Sequence, residues 1–130
     1  MLSANDQALV AEARRIISLR GKQDRHHVGC ALRTRSGRVF SAVHLEAYMG
    51  RAAVCAEAVA IGMGAAEGDT DVETSVAVDR AGRVVAPCGI CRELISDYAP
   101  GALVIVPGPG GPEVVPMSDL LPNKYVRSEP

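Results

Sequence analysis

The stretch Val28-Gly29-Cys30-Ala31-Leu32-Arg33-Thr34-Arg35, the pair Ser36-Gly37, and Arg38-Val39-Phe40-Ser41-Ala42-Val43-His44 read as two apolar runs around a turn. That pattern predicts a β-hairpin. Upstream, Leu9, Val10, Ala13, Ile16, Ile17 and Leu19 recur mostly at helical spacing, with Ser3 as N-cap and Gly21 as the stop. Downstream, the loop Glu46 to Arg51 leads into Ala52 to Ala66, apolar nearly all round, which predicts a buried helix. Glu73 to Asp79 alternates as a strand, and a helix from near Cys88 to Tyr98 stops before Pro100. Ala102 to Val106 is an apolar strand, Pro107 to Pro112 a Gly/Pro turn, Val114-Val115 an edge strand and Ser118 to Leu121 a last helical turn. Strands alternating with helices predict an α/β fold, with helices on both faces of one sheet, as a single domain over residues 1–130.

Composition narrows the function. With 14 Lys plus Arg against 15 Asp plus Glu, the net charge is −1. No basic field is available to hold a phosphate backbone, so no nucleic-acid partner is expected. Hydrophobic residues make up 48% of the chain, too many for disorder. Charges, Gly or Pro interrupt every apolar run before membrane-spanning length, and the N-terminus lacks the layout of a secretory signal. The expectation is a cytoplasmic protein without a membrane partner, whose four cysteines serve metal or catalysis more readily than disulfides.

Cys55-Ala56-Glu57 and Pro87-Cys88-Gly89-Ile90-Cys91 carry the chemistry. Cys88 and Cys91, three apart in a first helical turn, share one face. Helix starts favour thiolate through their free N–H groups. Three thiolates from two helix starts make a tetrahedral zinc site with one open vertex, the catalytic arrangement. Glu57, two residues beyond a ligand, reaches the water at that vertex as general acid/base. A Cys or His, one residue, a Glu and a later Pro-Cys-x-x-Cys is the signature of the zinc nucleobase deaminases.

On these residues the chain resembles the cytidine deaminase family, in its small single-domain branch that includes blasticidin S deaminases. The resemblance extends to Val28 to Leu32 with Ser36 to Phe40, to Pro87 to Arg92 and to Leu120 to Tyr125. It implies a three-layer α/β/α sandwich with a mixed sheet, zinc held by Cys55, Cys88 and Cys91, and Glu57 as proton shuttle. It also implies hydrolytic deamination of a small-molecule cytosine nucleoside or close analogue, by attack of a zinc-bound hydroxide at C4 with release of ammonia. Where relatives carry Asn-x-Glu-Asn for ribose hydroxyls, this chain has His44-Leu45-Glu46-Ala47, and an aromatic position falls on His26. Glu93 stands where Gln is usual. These departures favour a modified cytosine nucleoside such as blasticidin S beside cytidine and deoxycytidine. His44, Glu46, His26 and Tyr125 are the substrate-binding candidates, with Tyr125 serving a neighbouring subunit of a homotetramer. Arg92, next to Cys91, is the candidate to offset thiolate charge through hydrogen bonds to sulfur.

Plainer readings stand beside these. The cysteines can form a structural zinc knot completed by His26, His27, His44 or Cys30, leaving a non-catalytic binding domain. Cys88-Gly89-Ile90-Cys91 alone resembles a redox pair. Cys30, inside an apolar strand, reads as core.

Overall fold

The computed structural model describes residues 1–128. Helix α1 spans Ala4–Arg20; the Ser3 hydroxyl caps it by accepting from the Asp6 N–H at 3.2 Å. Strands β1 (Val28–Thr34) and β2 (Val39–Val43) form the expected hairpin, and Gly37 in its turn takes φ +91°, a conformation that favours glycine. Helix α2 (Ala56–Ala66) and strand β3 (Val72–Asp79) follow, then the two-residue strand β4 (Val84–Val85) and helix α3 (Gly89–Tyr98). Strands β5 (Leu103–Val106) and β6 (Glu113–Pro116) and a 3-10 turn over Met117–Leu120 complete the order.

The sheet runs β2-β1-β3-β5-β6, with β4 paired to β3. It is mixed: β3 and β5 are parallel, and the other pairings are antiparallel. Side chains alternate across it. Ala31, Val76, Val78 and Ile105 face α1 and pack with its Leu9, Val10, Ala13 and Ile17. Cys30, Leu32, Val104 and Val106 face the opposite way, into a core with Ala60 and Ile61 of α2 and Cys91 and Ile95 of α3. The result is the expected α/β/α sandwich. At Gly29 the approach of α1 to β1 requires glycine: an added Cβ would meet the Ile17 Cβ at 2.8 Å and the Ala13 carbonyl oxygen at 2.9 Å.

Three local readings change. Helix α2 starts at Ala56 rather than Ala52, because Leu45 and Val54 exchange two backbone hydrogen bonds of 2.9 Å that hold Val54 extended. Gly50–Ala52 forms a separate 3-10 turn. Nor is α2 buried all round: Gly62, Met63, Ala65 and Ala66 are exposed in the single chain. Leu19, placed on the apolar face of α1, is exposed.

Candidate active site

The extended entry to α2 and the loop before α3 bring the cysteines together. Cys55 is the N-cap of α2 and Cys88 the N-cap of α3, so both sulfurs sit at open helix ends. Their Sγ atoms are 3.3 Å apart. Cys91, one turn into α3 and 1% exposed, completes a trio whose sulfurs all lie within 4.8 Å of one another. Zn–S bonds of about 2.3 Å in a tetrahedron place sulfurs about 3.8 Å apart, within the spread of this trio. Among the described residues, no fourth His, Cys, Asp or Glu joins the group. Cys30 stays in β1 against Ser75, Sγ to Oγ 3.8 Å, as core.

The titration behaviour of the trio calls for a cation. Burial pushes the Cys91 thiol far above its ordinary range, and Glu57, Cys55 and Cys88 push it the same way. Cys55 is raised by burial and then by Cys88. At Cys88 burial also acts upward but is outweighed, chiefly by the Cys91 backbone N–H and with help from Cys55, Cys91 and the Ile90 N–H, so the net shift is down. These N–H groups face the sulfur at the helix end without closing a conventional capping bond. A soft divalent ion such as zinc relieves the repulsion among the sulfurs and matches the donor set.

Glu57 lies in the first turn of α2 and is 5% exposed. Burial raises its pKa, against smaller opposing contributions from its own backbone N–H and the Cys91 side chain. A cavity of about 280 Å³ brings it together with Cys55, Cys88 and His44, between apolar walls that include Val28, Val54, Ala77, Val85 and Ile90. Small apolar side chains opposite a few polar groups suit a flat ring.

The other candidates divide. The Nδ1 of His44 lies 2.6 Å from the His27 backbone N and 3.2 Å from that of Val28. Both nitrogens donate, so Nδ1 accepts and the neutral ring carries its proton on Nε2. That Nε2 stands 4.0 Å from the Glu46 carboxylate. Burial lowers the pKa of His44; His27 and His26 add to this and Glu46 opposes it. His27, His44 and Glu46 also place ligand atoms within 4.8 Å. A metal there would need the His44 lone pair at Nε2, which its tautomer fills with a proton, so this trio is a hydrogen-bonding group.

His26 does not line the cavity; its Nδ1 is 2.7 Å from the His44 carbonyl oxygen. Tyr125 is 78% exposed and borders a different groove, with Glu93, Asp97, Tyr98 and Lys124. Arg92 is a correction. Its Nε donates to the Pro87 carbonyl at 2.9 Å and its Nη1 to the Leu120 carbonyl at 3.0 Å, rather than to the sulfurs. The Pro87 carbonyl at the loop entering α3 and the Leu120 carbonyl of the 3-10 turn outcompete the thiolates, which already have helix-end N–H groups. The backbone N–H groups of His27 and Val28 escaped the sequence reading, since every residue but proline has one.

Residues 3–106 match the family described as the cytidine and deoxycytidylate deaminase zinc-binding region, and the chain belongs to that family. Within it, the blasticidin-S deaminase of Bacillus cereus is 46% identical over 135 residues, covering 98% of this chain and 96% of the relative. The cytidine deaminase of Halalkalibacterium halodurans is 29% identical over 107 residues, 81% of each chain. The crystal structure of cytidine deaminase from Mycobacterium leprae superposes with a TM-score of 0.79 at 26% identity, covering 93% of this chain and all of that one.

Proposed function

We propose that the chain is a zinc-dependent aminohydrolase that converts a cytosine nucleoside or close analogue to its uracil counterpart and ammonia. The observation that carries this reading is Glu57: a carboxyl buried beside three sulfurs and open to a ring-sized cavity, met by its own backbone N–H and the Cys91 side chain and by no cationic side chain among the described residues. Cys55, Cys88 and Cys91 would hold zinc, which when bound lowers the pKa of a water so that a nucleophile exists near neutral pH. Glu57 takes the proton released as the C4–O bond forms and passes protons to the ring nitrogen and the departing amino group as the C4–N bond breaks. Burial holds its pKa above the ordinary carboxylate range, which favours a group that both accepts and gives a proton. The apolar walls hold the ring and exclude bulk water.

His44 on the cavity wall offers an N–H beside the carboxylate of Glu46, which borders a separate groove with Arg25 and His27, and the pair fits a sugar hydroxyl which accepts from one and donates to the other. His44 in place of the family Asn, together with the similarity to the Bacillus cereus blasticidin-S deaminase, supports blasticidin S as a substrate beside cytidine and deoxycytidine. Arg92 steadies the loop that carries Cys88.

We also propose a homotetramer. The exposed face of α2 and the position of Tyr125 outside its own chain's cavity support this, and a light-scattering mass of four chains tests it. No helix among the described residues is long and apolar enough to cross a membrane. A cytoplasmic place in pyrimidine salvage accords with the cytosine-nucleoside activity proposed here. Ammonia release from a panel of cytosine compounds tests the activity itself.

A further inference from the structure

We infer that His26 and His44 form a clasp held in opposite ring tautomers, in which His26 is a positioning residue that keeps His44 a fixed Nε2–H donor at the cavity mouth. The clasp joins two short segments. His44 N donates to the Val28 carbonyl and Glu46 N to the Arg25 carbonyl, each at 3.0 Å. In return, the N–H groups of His27 and Val28 point at the His44 Nδ1, at 2.6 and 3.2 Å. A ring nitrogen that receives two N–H groups has its lone pair free and its proton on the other nitrogen. His26 closes the arrangement at the His44 backbone. Its Nδ1 is 2.7 Å from the His44 carbonyl oxygen, and a carbonyl only accepts, so this Nδ1 carries a proton. Two histidines that face one another through the same backbone thus hold their protons on different nitrogens.

The consequence is selectivity at the cavity mouth. A freely rotating or tautomerising imidazole presents a donor or an acceptor as the ligand demands. Here His44 presents a donor only, 4.0 Å from the Glu46 carboxylate. An oxygen seated between them must accept from His44 and is favoured by Glu46 only if it also donates. A hydroxyl does both; a carboxylate or phosphate oxygen meets the Glu46 charge without a proton to give, and an ammonium meets the His44 N–H. This assignment of ligand chemistry rests on the activity proposed above, whereas the tautomers do not.

The chain has three histidines, so ring signals are assignable by single substitution. The experiment is a long-range proton–nitrogen spectrum of the zinc-loaded, ¹⁵N-histidine-labelled protein near pH 8, where free rings are neutral. The expected result is Nε2–H at His44 and Nδ1–H at His26. Nδ1–H at His44 in the unsubstituted protein overturns the clasp. In His26→Leu, the His44 ring, no longer held against the His27 and Val28 N–H groups by the bond to its own carbonyl, is expected to populate both tautomers, and KM for cytidine to rise about fivefold to tenfold with kcat changed less than about twofold. His26→Asn, whose amide N–H replaces the ring Nδ1–H, restores both readouts. Unchanged His44 signals and KM in His26→Leu contradict the positioning role. If His26→Leu does not fold, the parent spectrum and His26→Asn decide the matter, with mixed His44 tautomers in His26→Asn counting against it. Absence of turnover on cytidine would contradict the substrate assignment alone, since the spectra are read without it.

Discussion

Cys55 and Cys88 lie 33 positions apart in the chain, yet their sulfurs are 3.3 Å from one another, each at the N-cap of a different helix. The Leu45–Val54 bridge delays the start of α2 until Cys55 occupies its cap, and the Arg92 hydrogen bond to Pro87 holds the entry to α3. Glu57, two residues after Cys55 in the first turn of α2, reaches the same cavity.

Metal and fold are therefore coupled. Zinc at about a thousandfold excess over its Kd stabilises the native state by about 4 kcal/mol, so chelation lowers Tm by on the order of 10 °C and zinc restores it. Cys55→Ser, Cys88→Ser and Cys91→Ser each lose the ion, while Cys30→Ala keeps one zinc per chain. Zinc analysis and thermal melts check this, and loss of zinc from Cys30→Ala would place that cysteine in the site.

Glu57 has its own pH signature in metal-free protein. Its folded pKa lies above its unfolded value, so ionisation costs stability, and the cost grows as pH rises from about 4.3 through the folded pKa. Glu57→Gln removes that cost. The variant is expected to melt higher than the parent at pH 7.5 in chelator and equally below about pH 4. A melting difference independent of pH would contradict a buried carboxyl.

Arg92 acts through two carbonyls in a fork that lysine does not reproduce. Arg92→Met is expected to weaken zinc binding by about 10-fold to 100-fold, and Arg92→Lys to recover little of it. Competition against a zinc chelator of known affinity measures both. Full recovery by lysine would return Arg92 to a role as simple counter-charge.

The hairpin, the helices and the Cys55-x-Glu57 and Cys88-x-x-Cys91 spacings were legible because periodicity and side-chain chemistry are written in residue identity. The start of α2 was not. Ala52 to Val54 continues an apolar run, and only a bridge to Leu45 makes it extended. Strand β4 has two residues, too few for any period. Sequence motifs put Arg92 and His26 in the right neighbourhood, but their partners are backbone carbonyls. Such groups are identical along the chain, so nothing in the sequence marks which will be reached.

Gly29 tests the packing of α1 on the sheet. Gly29→Ala drives a methyl into Ile17 and the Ala13 carbonyl, and is expected to cost about 1–3 kcal/mol with zinc content unchanged. Denaturant unfolding measures the loss; a neutral substitution would mean that α1 shifts away at little cost.

The central claim is that Glu57 moves protons at a zinc site that deaminates a cytosine ring. The most direct measurement is ammonia release by the zinc-loaded protein from cytidine, deoxycytidine, cytosine, blasticidin S and adenosine, with Glu57→Gln alongside. Turnover of at least one cytosine nucleoside is predicted, none of adenosine, and a fall of about 10²–10⁴-fold in Glu57→Gln at unchanged zinc content. Near-normal rates in Glu57→Gln, or no ammonia from any cytosine compound with zinc bound and the fold intact, would contradict it and leave a zinc-stabilised binding domain.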